Sequence, residues 1–187
     1  MNDLDVEMSH QRTVEDLNLL PISTARSVGR PYIIAFFNWW RSDQLNANFY
    51  GAYFGALATA GGDHIMASDN GSDRYAQYII YRKGKPFKLI FVNTDYYSGI
   101  GSRSTTSFTV TGLRNGAVKA LRMTGPSSET IVPLTQTNPD LEPSIAGQYF
   151  SNQNCDLKGV QRFETFNVKK GKLVTDLKAS EALIVYL

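Results

Sequence analysis

Three neighbouring residues, Asp95, Tyr96 and Tyr97, are the side chains in this sequence best suited to bind a ligand. They follow the apolar run 89–92, where a predicted strand passes into a polar loop. Tyrosine rings stack on sugar rings, and an adjacent carboxylate accepts hydrogen bonds from sugar hydroxyls. We therefore predict a carbohydrate-binding site at these residues, with Tyr75 as a further contact. The alternative is that the tyrosines cover the open end of a sheet domain.

Carboxylates are plentiful, but they form no recognisable catalytic pair. Glycoside hydrolysis requires two carboxyl groups about 5 to 9 Å apart. The candidates are Asp95, Glu129, Glu142, Glu164 and Glu181. Glu129 and Glu142 lie in a Pro- and Ser-rich stretch and Glu164 has polar neighbours, so we interpret them as solvated surface residues. A hydrolase with an unrecognised carboxylate pair is kept as an alternative function.

The sequence shows no metal-binding or cofactor-binding pattern. His10 and His64 lack metal-ligand spacing, and Cys155 is the single cysteine. The run Gly99-Ile100-Gly101 lacks the third glycine and the following helix of a dinucleotide-binding loop. We expect neither a metal nor a cofactor. Asn70 begins an Asn-Gly-Ser sequon and is a candidate N-glycosylation site.

Composition narrows the class of partner. Hydrophobic residues make up 42% and charged residues 19% of the 187 residues, as in a globular protein with one core. The 19 basic and 17 acidic residues give a net charge of +2, too balanced to favour nucleic acid or an anionic membrane. The basic residues are scattered, and their densest cluster, 169–172, is predicted to be a hairpin turn. No apolar run approaches the roughly 20 residues of a membrane span.

One helix is predicted, starting at Asn46 or Asn48 as the N-cap and ending at the glycine pair 61–62. Its predicted buried face consists of residues at helical spacing: Phe49, Tyr53, Ala56, Leu57 and Ala60. Tyr50 and Phe54 extend the apolar surface around the helix. We therefore expect this helix to lie between two surfaces.

From residue 64 onward, apolar residues recur at every second position, as in β-strands, and no longer at helical spacing. The predicted strands are 74–82, 87–93, 105–110, 118–123, one near Ile131, 161–168, 172–177 and 182–186. A turn at 83–86 joins the first two as an antiparallel pair. About eight short strands separated by turns predict a mainly-β fold, an antiparallel β-sandwich. The apolar final residues are predicted to dock into a sheet.

The sequence divides into two regions at residue 45. Residues 1–45 lack sustained periodicity and are predicted to be poorly ordered or the remnant of a larger unit, with an apolar stretch at 32–40. Residues 46–187 hold the helix and the β-domain. The apolar region 32–60 requires a partner surface, so we predict that it packs on another domain or self-associates. The acidic N-terminus lacks the features of a signal peptide, so the sequence assigns no localisation.

Five segments, in this order, resemble the C-terminal β-domain of glycoside hydrolase family 79, the β-glucuronidase and heparanase-like enzymes. They are 49–54 with the glycines 61–62, then 75–81, 89–93 with Tyr97, 146–150, and 179–187. The likeness covers roughly residues 48–187. It implies that the helix would be the last helix of a (β/α)8 barrel in a full-length relative.

The resemblance also implies where the chemistry of the family resides. Family members are retaining glycosidases whose two catalytic glutamates lie at the ends of barrel strands. No residue of this sequence matches the motifs that carry either glutamate. We therefore expect a non-catalytic domain that supports a catalytic barrel, with a free-standing carbohydrate-binding module as the alternative. Family enzymes are typically secreted, and a glycan is the expected further ligand.

Overall fold

The computed structural model describes residues 11–12, 45, 47–69, 74–130, 132, 142–152 and 154–187. They contain one helix, α1 (Ala47–Thr59), and twelve strands. The strands are β1 (Gln11–Arg12), β2 (His64–Ala67), β3 (Tyr75–Arg82), β4 (Lys85–Asn93), β5 (Thr105–Val110), β6 (Gly116–Thr124), β7 (Ser144–Ile145), β8 (Tyr149–Phe150), β9 (Leu157–Lys158), β10 (Glu164–Val168), β11 (Leu173–Lys178) and β12 (Glu181–Tyr186). Eight of the twelve have four or more residues, which confirms the predicted mainly-β fold.

Two predictions for the first 45 residues fall largely outside the described part of the chain. The apolar stretch 32–40 lies there entirely. Within the predicted poorly ordered region, β1 pairs antiparallel with β2. Leu45, at the predicted boundary, is buried, and its amide donates to Oδ1 of Asn152. Among the described residues, no helix combines the length and the apolarity that a membrane span requires.

Eight strands form one antiparallel sheet with the order β1-β2-β3-β4-β12-β6-β10, and β7 pairs with β6. We call it the central sheet. Strand β12 lies in its middle, where Leu183 pairs with Phe91 of β4 and with Arg122 of β6. Every residue of 181–185 is buried. The strand is apolar without alternation because the central sheet is covered on both faces.

The β5–β11 pair covers one face of the central sheet. The core beneath it contains Ile79, Leu89, Phe91, Phe108, Leu173, Leu177, Leu183 and Val185. Strand β11 alternates strictly between buried and exposed residues, from Leu173 to Lys178. This alternation is typical of a sheet with one face on the core and the other in water, so this side has the predicted sandwich arrangement.

Helix α1 covers the opposite face, but with a different row of side chains from the predicted one. Tyr50, Phe54 and Ala58 are fully buried, whereas Ala56, in the predicted face, is exposed. The ring of Phe150 contacts the rings of Phe49, Tyr50 and Tyr53 edge-on, with centroids 4.8, 5.6 and 4.9 Å away. The Phe150 amide also donates to the Tyr50 hydroxyl at 2.9 Å, which holds Tyr50, and with it the 50–54–58 row, on the sheet side.

A buried lysine from β4, Lys88, binds the C-terminal end of α1. The Lys88 ammonium donates to the main-chain oxygens of Leu57 and Ala60, both at 2.7 Å. These carbonyls have no partner within the helix, and a cation is favourable at the negative end of the helix dipole. Burial, and to a smaller extent the charge of Arg82, lowers the pKa of Lys88. Lys88 thus fixes the helix end to the central sheet.

Two hairpin tips are built alike. Arg82 pairs with Lys85 around Lys83 and Gly84, and Lys169 pairs with Lys172 around Lys170 and Gly171. The φ angles of the central residues are 54° and 72° in the first tip, and 51° and 70° in the second. Positive φ at both central positions is typical of the type I′ turn of two-residue hairpins. The predicted turns at 83–86 and 169–172 are therefore present.

Candidate functional site

Two of the four residues predicted to bind carbohydrate contact each other. Tyr75 begins β3, and Asp95 lies two residues after β4. The Tyr75 hydroxyl donates to Oδ2 of Asp95 at 2.9 Å, and the Tyr75 ring packs edge-on against Phe108, with centroids 6.2 Å apart. Both side chains are half-buried. The polar atoms of these two side chains are therefore bonded to each other, and carbohydrate binding at these residues stays a prediction.

Tyr96 and Tyr97 have different surroundings although they are adjacent in sequence. Tyr96 is 54% exposed, and its hydroxyl donates to Oε1 of Glu129. This hydrogen bond is the main reason that the pKa of Tyr96 is raised. The Tyr97 hydroxyl donates to the oxygen of Gly101 at 3.2 Å, and the Arg103 guanidinium lies 5.3 Å from the Tyr97 ring centre. Tyr96 is therefore the most accessible ring of the group.

Polar residues that the sequence analysis did not single out hold this loop. The Ser180 hydroxyl donates to the oxygen of Asp95 at 2.9 Å, and the hydroxyls of Ser180 and Ser128 are hydrogen-bonded. The Tyr97 amide donates to Oγ of Ser128 at 2.8 Å. The Arg103 guanidinium donates to the oxygens of Ala179 and Gly125. In the sequence, the high serine content around 127–128 was the one feature that pointed to this hydrogen-bond network.

Two of the candidate carboxylates, Glu142 and Glu181, are buried, whereas Glu129 is exposed as interpreted. Glu181 is 6% exposed and Glu142 is 3% exposed. Arg122 donates from Nη1 to Glu181 at 2.7 Å, and from Nε and Nη2 to Glu164 at 2.6 and 3.0 Å. The interpretation as a solvated surface residue was therefore wrong for Glu142, whereas the Glu164 side chain is 38% exposed.

This arrangement suits structure better than hydrolysis. Glu181 also accepts from the Thr124 hydroxyl at 2.9 Å and from the Lys178 amide at 2.9 Å. A general acid must hold a proton and reach a glycosidic oxygen. Glu181 is buried and its oxygens already accept from arginine, a hydroxyl and an amide, so it is not placed to reach a glycosidic oxygen. Across the described residues, no group of three or more His, Cys, Asp or Glu could hold a metal ion.

The predicted glycosylation site, Asn70, lies outside the described residues and stays a prediction. His64 is exposed at the first position of β2, where its Nδ1 lies 2.9 Å from Oδ1 of Asp63. Cys155 is exposed. The structure brings neither residue close to the predicted carbohydrate site by any contact that it records.

The outer surface of α1 has an unusual composition. None of the residues Ala47–Thr59 is charged. The side away from the buried row carries four small residues: Ala52, Gly55, Ala56 and Thr59. We call these four residues the small-residue face. A Cβ placed on Gly55 would meet no atom within 4 Å, so this face is open. Surface helices normally carry charged side chains on the face opposite their apolar one.

The sequence between β3 and β12 matches a known domain family. Residues 77–184 match the glycosyl hydrolase family 79 C-terminal beta domain. The structure is similar to a 4-O-α-L-rhamnosyl-β-D-glucuronidase from Fusarium oxysporum 12S in a Rha-GlcA complex, with 38% identity and a TM-score of 0.72 over 80% of this chain. The chain belongs to family 79. The family resemblance in the sequence is thereby confirmed.

This family 79 domain spans 31% of the Fusarium glucuronidase chain. Lower similarity links it to a GH51 arabinofuranosidase from Xanthomonas axonopodis pv. citri, with 15% identity and a TM-score of 0.43 over 78% of this chain and 27% of that one. A glycoside hydrolase family 30 xylanase from Clostridium acetobutylicum has 11% identity and a TM-score of 0.40 over 96% and 40%. No curated protein sequence matches the chain significantly.

Proposed function

We propose that this family 79 domain is the non-catalytic support of a barrel that hydrolyses β-D-glucuronides, and that it packs on the barrel through α1. The carrying observation is the small-residue face of α1, which has no charge to keep it in water. Glycine and alanine permit close approach of a neighbouring helix, because ridges and grooves on such a face are shallow. The similarity to a β-D-glucuronidase supplies the class of substrate for the barrel.

The buried row of α1 supports the same proposal. Tyr50, Phe54 and Ala58 already fill the sheet side of the helix. A second partner would bury the opposite side and would account for the apolar character of the whole helix. Under this proposal α1 lies between the β-domain and the barrel. As part of a secreted family, the assembled enzyme is proposed to act outside the cell.

The proposal is tested with a chimaera in which this chain, from Leu45 onward, replaces the corresponding part of the Fusarium glucuronidase. We expect an active, soluble chimaera, and no turnover of 4-nitrophenyl β-glucuronide by the chain alone. Ala56→Glu places a charge on the small-residue face and should sharply lower the yield of active chimaera, because an unpaired charge at a buried contact is costly.

Ala117→Glu is the matched control, since Ala117 is also an exposed alanine and lies on β6. This variant should leave the yield of active chimaera unchanged. Equal yields for the two variants would contradict docking through α1. Turnover by the chain alone, abolished by one Glu→Gln change, would instead establish an active site within it.

We propose glycan binding at Tyr75, Asp95, Tyr96 and Tyr97 as a second function. Its support is the 2.9 Å contact between Tyr75 and Asp95 beside the exposed Tyr96 ring. Tyr96→Ala should abolish saturable binding to a panel of uronic-acid and plant glycans. Phe163→Ala removes an exposed ring elsewhere, 44% exposed, and should preserve it. Absence of binding by the unmodified chain would exclude this function.

A further inference from the structure

The two lysine-rich hairpin tips have nearly the same sequence. The β3–β4 tip reads Arg82-Lys83-Gly84-Lys85, and the β10–β11 tip reads Lys169-Lys170-Gly171-Lys172. The two tips contain six lysine and arginine side chains, three in each, and all six are exposed. Each tip therefore presents three cations to water.

The topology places both tips at the same end of the central sheet. Along the path β3-β4-β12-β6-β10 every neighbouring pair is antiparallel, so β3 and β10 run in the same direction. The tips that follow these two strands consequently lie at one end. Three strand spacings separate β4 from β10, which corresponds to roughly 14 Å.

A third turn adds a further cation between the strands. Arg114 lies in the connection from β5 to β6 and is exposed. The Leu113 amide donates to the oxygen of Gly171 at 3.0 Å, and the Gly171 amide donates to Oδ1 of Asn115 at 2.8 Å. This connection therefore touches the β10–β11 tip. We call the two tips together with Arg114 the basic end.

Acidic residues are concentrated elsewhere. Of the described acidic residues, Asp63 alone adjoins the basic end, where its carboxylate accepts from the Lys83 amide at 2.7 Å. The other described acidic residues lie in β10–β12 or in the segments at the opposite end and side: Asp69, Asp95, Glu129, Glu142, Asp156, Glu164, Asp176 and Glu181. Within the part of the chain that the structure describes, this separation gives the basic end a positive field.

The backbone conformation at the centre of each tip also indicates that the lysine charge has a function. Lys83 and Lys170 have φ angles of 54° and 51°. Turns of this type prefer asparagine, aspartate or glycine there, because other side chains are strained at positive φ. Lysine at both positions is therefore not explained by turn stability. What the two tips share is their charge.

We infer that the basic end binds an acidic polysaccharide, a chain whose sugars carry carboxylates. This inference rests on the proposed function, because the β-D-glucuronide named for the Fusarium relative is a carboxylate-bearing sugar. Lysine ammonium groups act as separate point charges and suit carboxylates spaced along a flexible chain. The basic end would hold the polymer while the barrel acts on it.

Binding of the full chain to polygalacturonate tests the inference, with neutral dextran and duplex DNA as comparison ligands. The variant Lys85→Glu/Lys172→Glu changes one residue in each tip, at positions without positive φ. It should weaken polygalacturonate binding by at least about tenfold at about 0.05 M salt, and the difference should shrink near 0.5 M, where charges are screened. Lys85→Arg/Lys172→Arg should keep the binding.

The matched control is Lys158→Glu/Lys178→Glu, which changes two exposed strand lysines away from the basic end. It should bind like the unmodified chain. Equal loss in both double variants, or no binding by the unmodified chain, would overturn the inference. Stronger binding to DNA than to polygalacturonate at the same salt would overturn the ligand class. None of these results depends on the chimaera, so docking on the barrel is judged separately.

Discussion

The two faces of the central sheet each contain a largely buried cation, but its charge is balanced differently. On the face under β5–β11, Arg122 forms ion pairs with Glu164 and Glu181. On the face under α1, Lys88 donates to two main-chain oxygens at the helix end and has no carboxylate among its recorded partners. One face thus uses a full ion network, and the other uses the partial charge of a helix terminus.

The outer surfaces of the β5–β11 pair and of α1, which cover the two faces of the central sheet, also differ in polarity. Thr105, Ser107 and Thr109 of β5, and Asp176 and Lys178 of β11, are exposed polar residues. The outer side of α1 carries the small-residue face and no charged side chain. The β5–β11 covering is therefore suited to water, whereas α1 is suited to a second protein surface. The comparison indicates which side of the domain is its interface.

The largest effect is expected from breaking the ion network. Arg122→Met should lower the free energy of unfolding by about 3–5 kcal/mol, because Glu181 would be left buried without its cation. Urea denaturation of both proteins measures the difference. Arg114→Met, at an exposed arginine, should change the same quantity by less than about 0.5 kcal/mol. Similar values for the two variants would mean that the network contributes little.

A smaller loss is expected on the helix-covered face. Lys88→Met keeps most of the side-chain volume but removes both hydrogen bonds to the end of α1, so we expect a loss of about 1.5–3 kcal/mol. Amide hydrogen exchange should also accelerate in the last turn of α1 more than in β12. Uniform acceleration across the domain would contradict a local anchoring role for Lys88.

Tyr50 gives the helix-covered face a dependence on pH. Burial raises the pKa of Tyr50 from 10.0 to about 12. Between these values the folded protein keeps a proton that the unfolded chain releases, so the free energy of unfolding falls as pH rises through this range. Tyr50→Phe should flatten that fall. It should also cost about 1–2 kcal/mol at neutral pH, because the Phe150 amide loses its acceptor.

The check is a series of urea midpoints from neutral pH to about 12 for both proteins. Tyr81 and Tyr186, whose pKa values are also raised by burial, are present in both proteins and cancel in the comparison. Parallel curves would show that Tyr50 does not titrate differently in the folded and unfolded states.

The smallest effects are expected from two exposed alanines of the isolated chain, one on α1 and one on β6. Ala56→Glu on α1 and Ala117→Glu on β6 should each change the free energy of unfolding by less than about 0.5 kcal/mol, as exposed substitutions do. Thermal unfolding of the two variants provides the test. A large loss for Ala56→Glu would show that the small-residue face is already covered within this chain.

Much of the fold could be predicted because its strands follow local rules. The β3–β4 hairpin is marked by alternating residues around Lys83-Gly84, and β12 by an uninterrupted apolar run. The position of β12 between β4 and β6 could not be predicted, because strand order depends on pairings between distant segments. The buried row of α1 was also missed, since it depends on contacts with distant residues, such as the hydrogen bond from the Phe150 amide to Tyr50, a hundred residues apart in sequence.

The types of the site residues could be predicted from the sequence better than the contacts that these residues make. Tyrosines beside a carboxylate marked the region around Asp95, but the hydrogen bond from Tyr75 to Asp95, twenty residues apart, was not predicted. No local sequence pattern indicated that Arg122 forms an ion pair with Glu181, so both residues looked like ordinary surface charges. The basic end was likewise invisible in sequence, where its cations seemed scattered, because only antiparallel pairing brings residues 82–85 and 169–172 to one end.

The central place of β12 has a consequence for the synthesis of the protein. Strand β12 follows both β4 and β6 in the sequence and therefore leaves the ribosome after them, yet these two strands can be joined only through it. Until then each of these strands has an unpaired edge, which is a template for aggregation. Nascent chains stalled before residue 181 should therefore need chaperones, and the domain should become resistant to proteases in one late step.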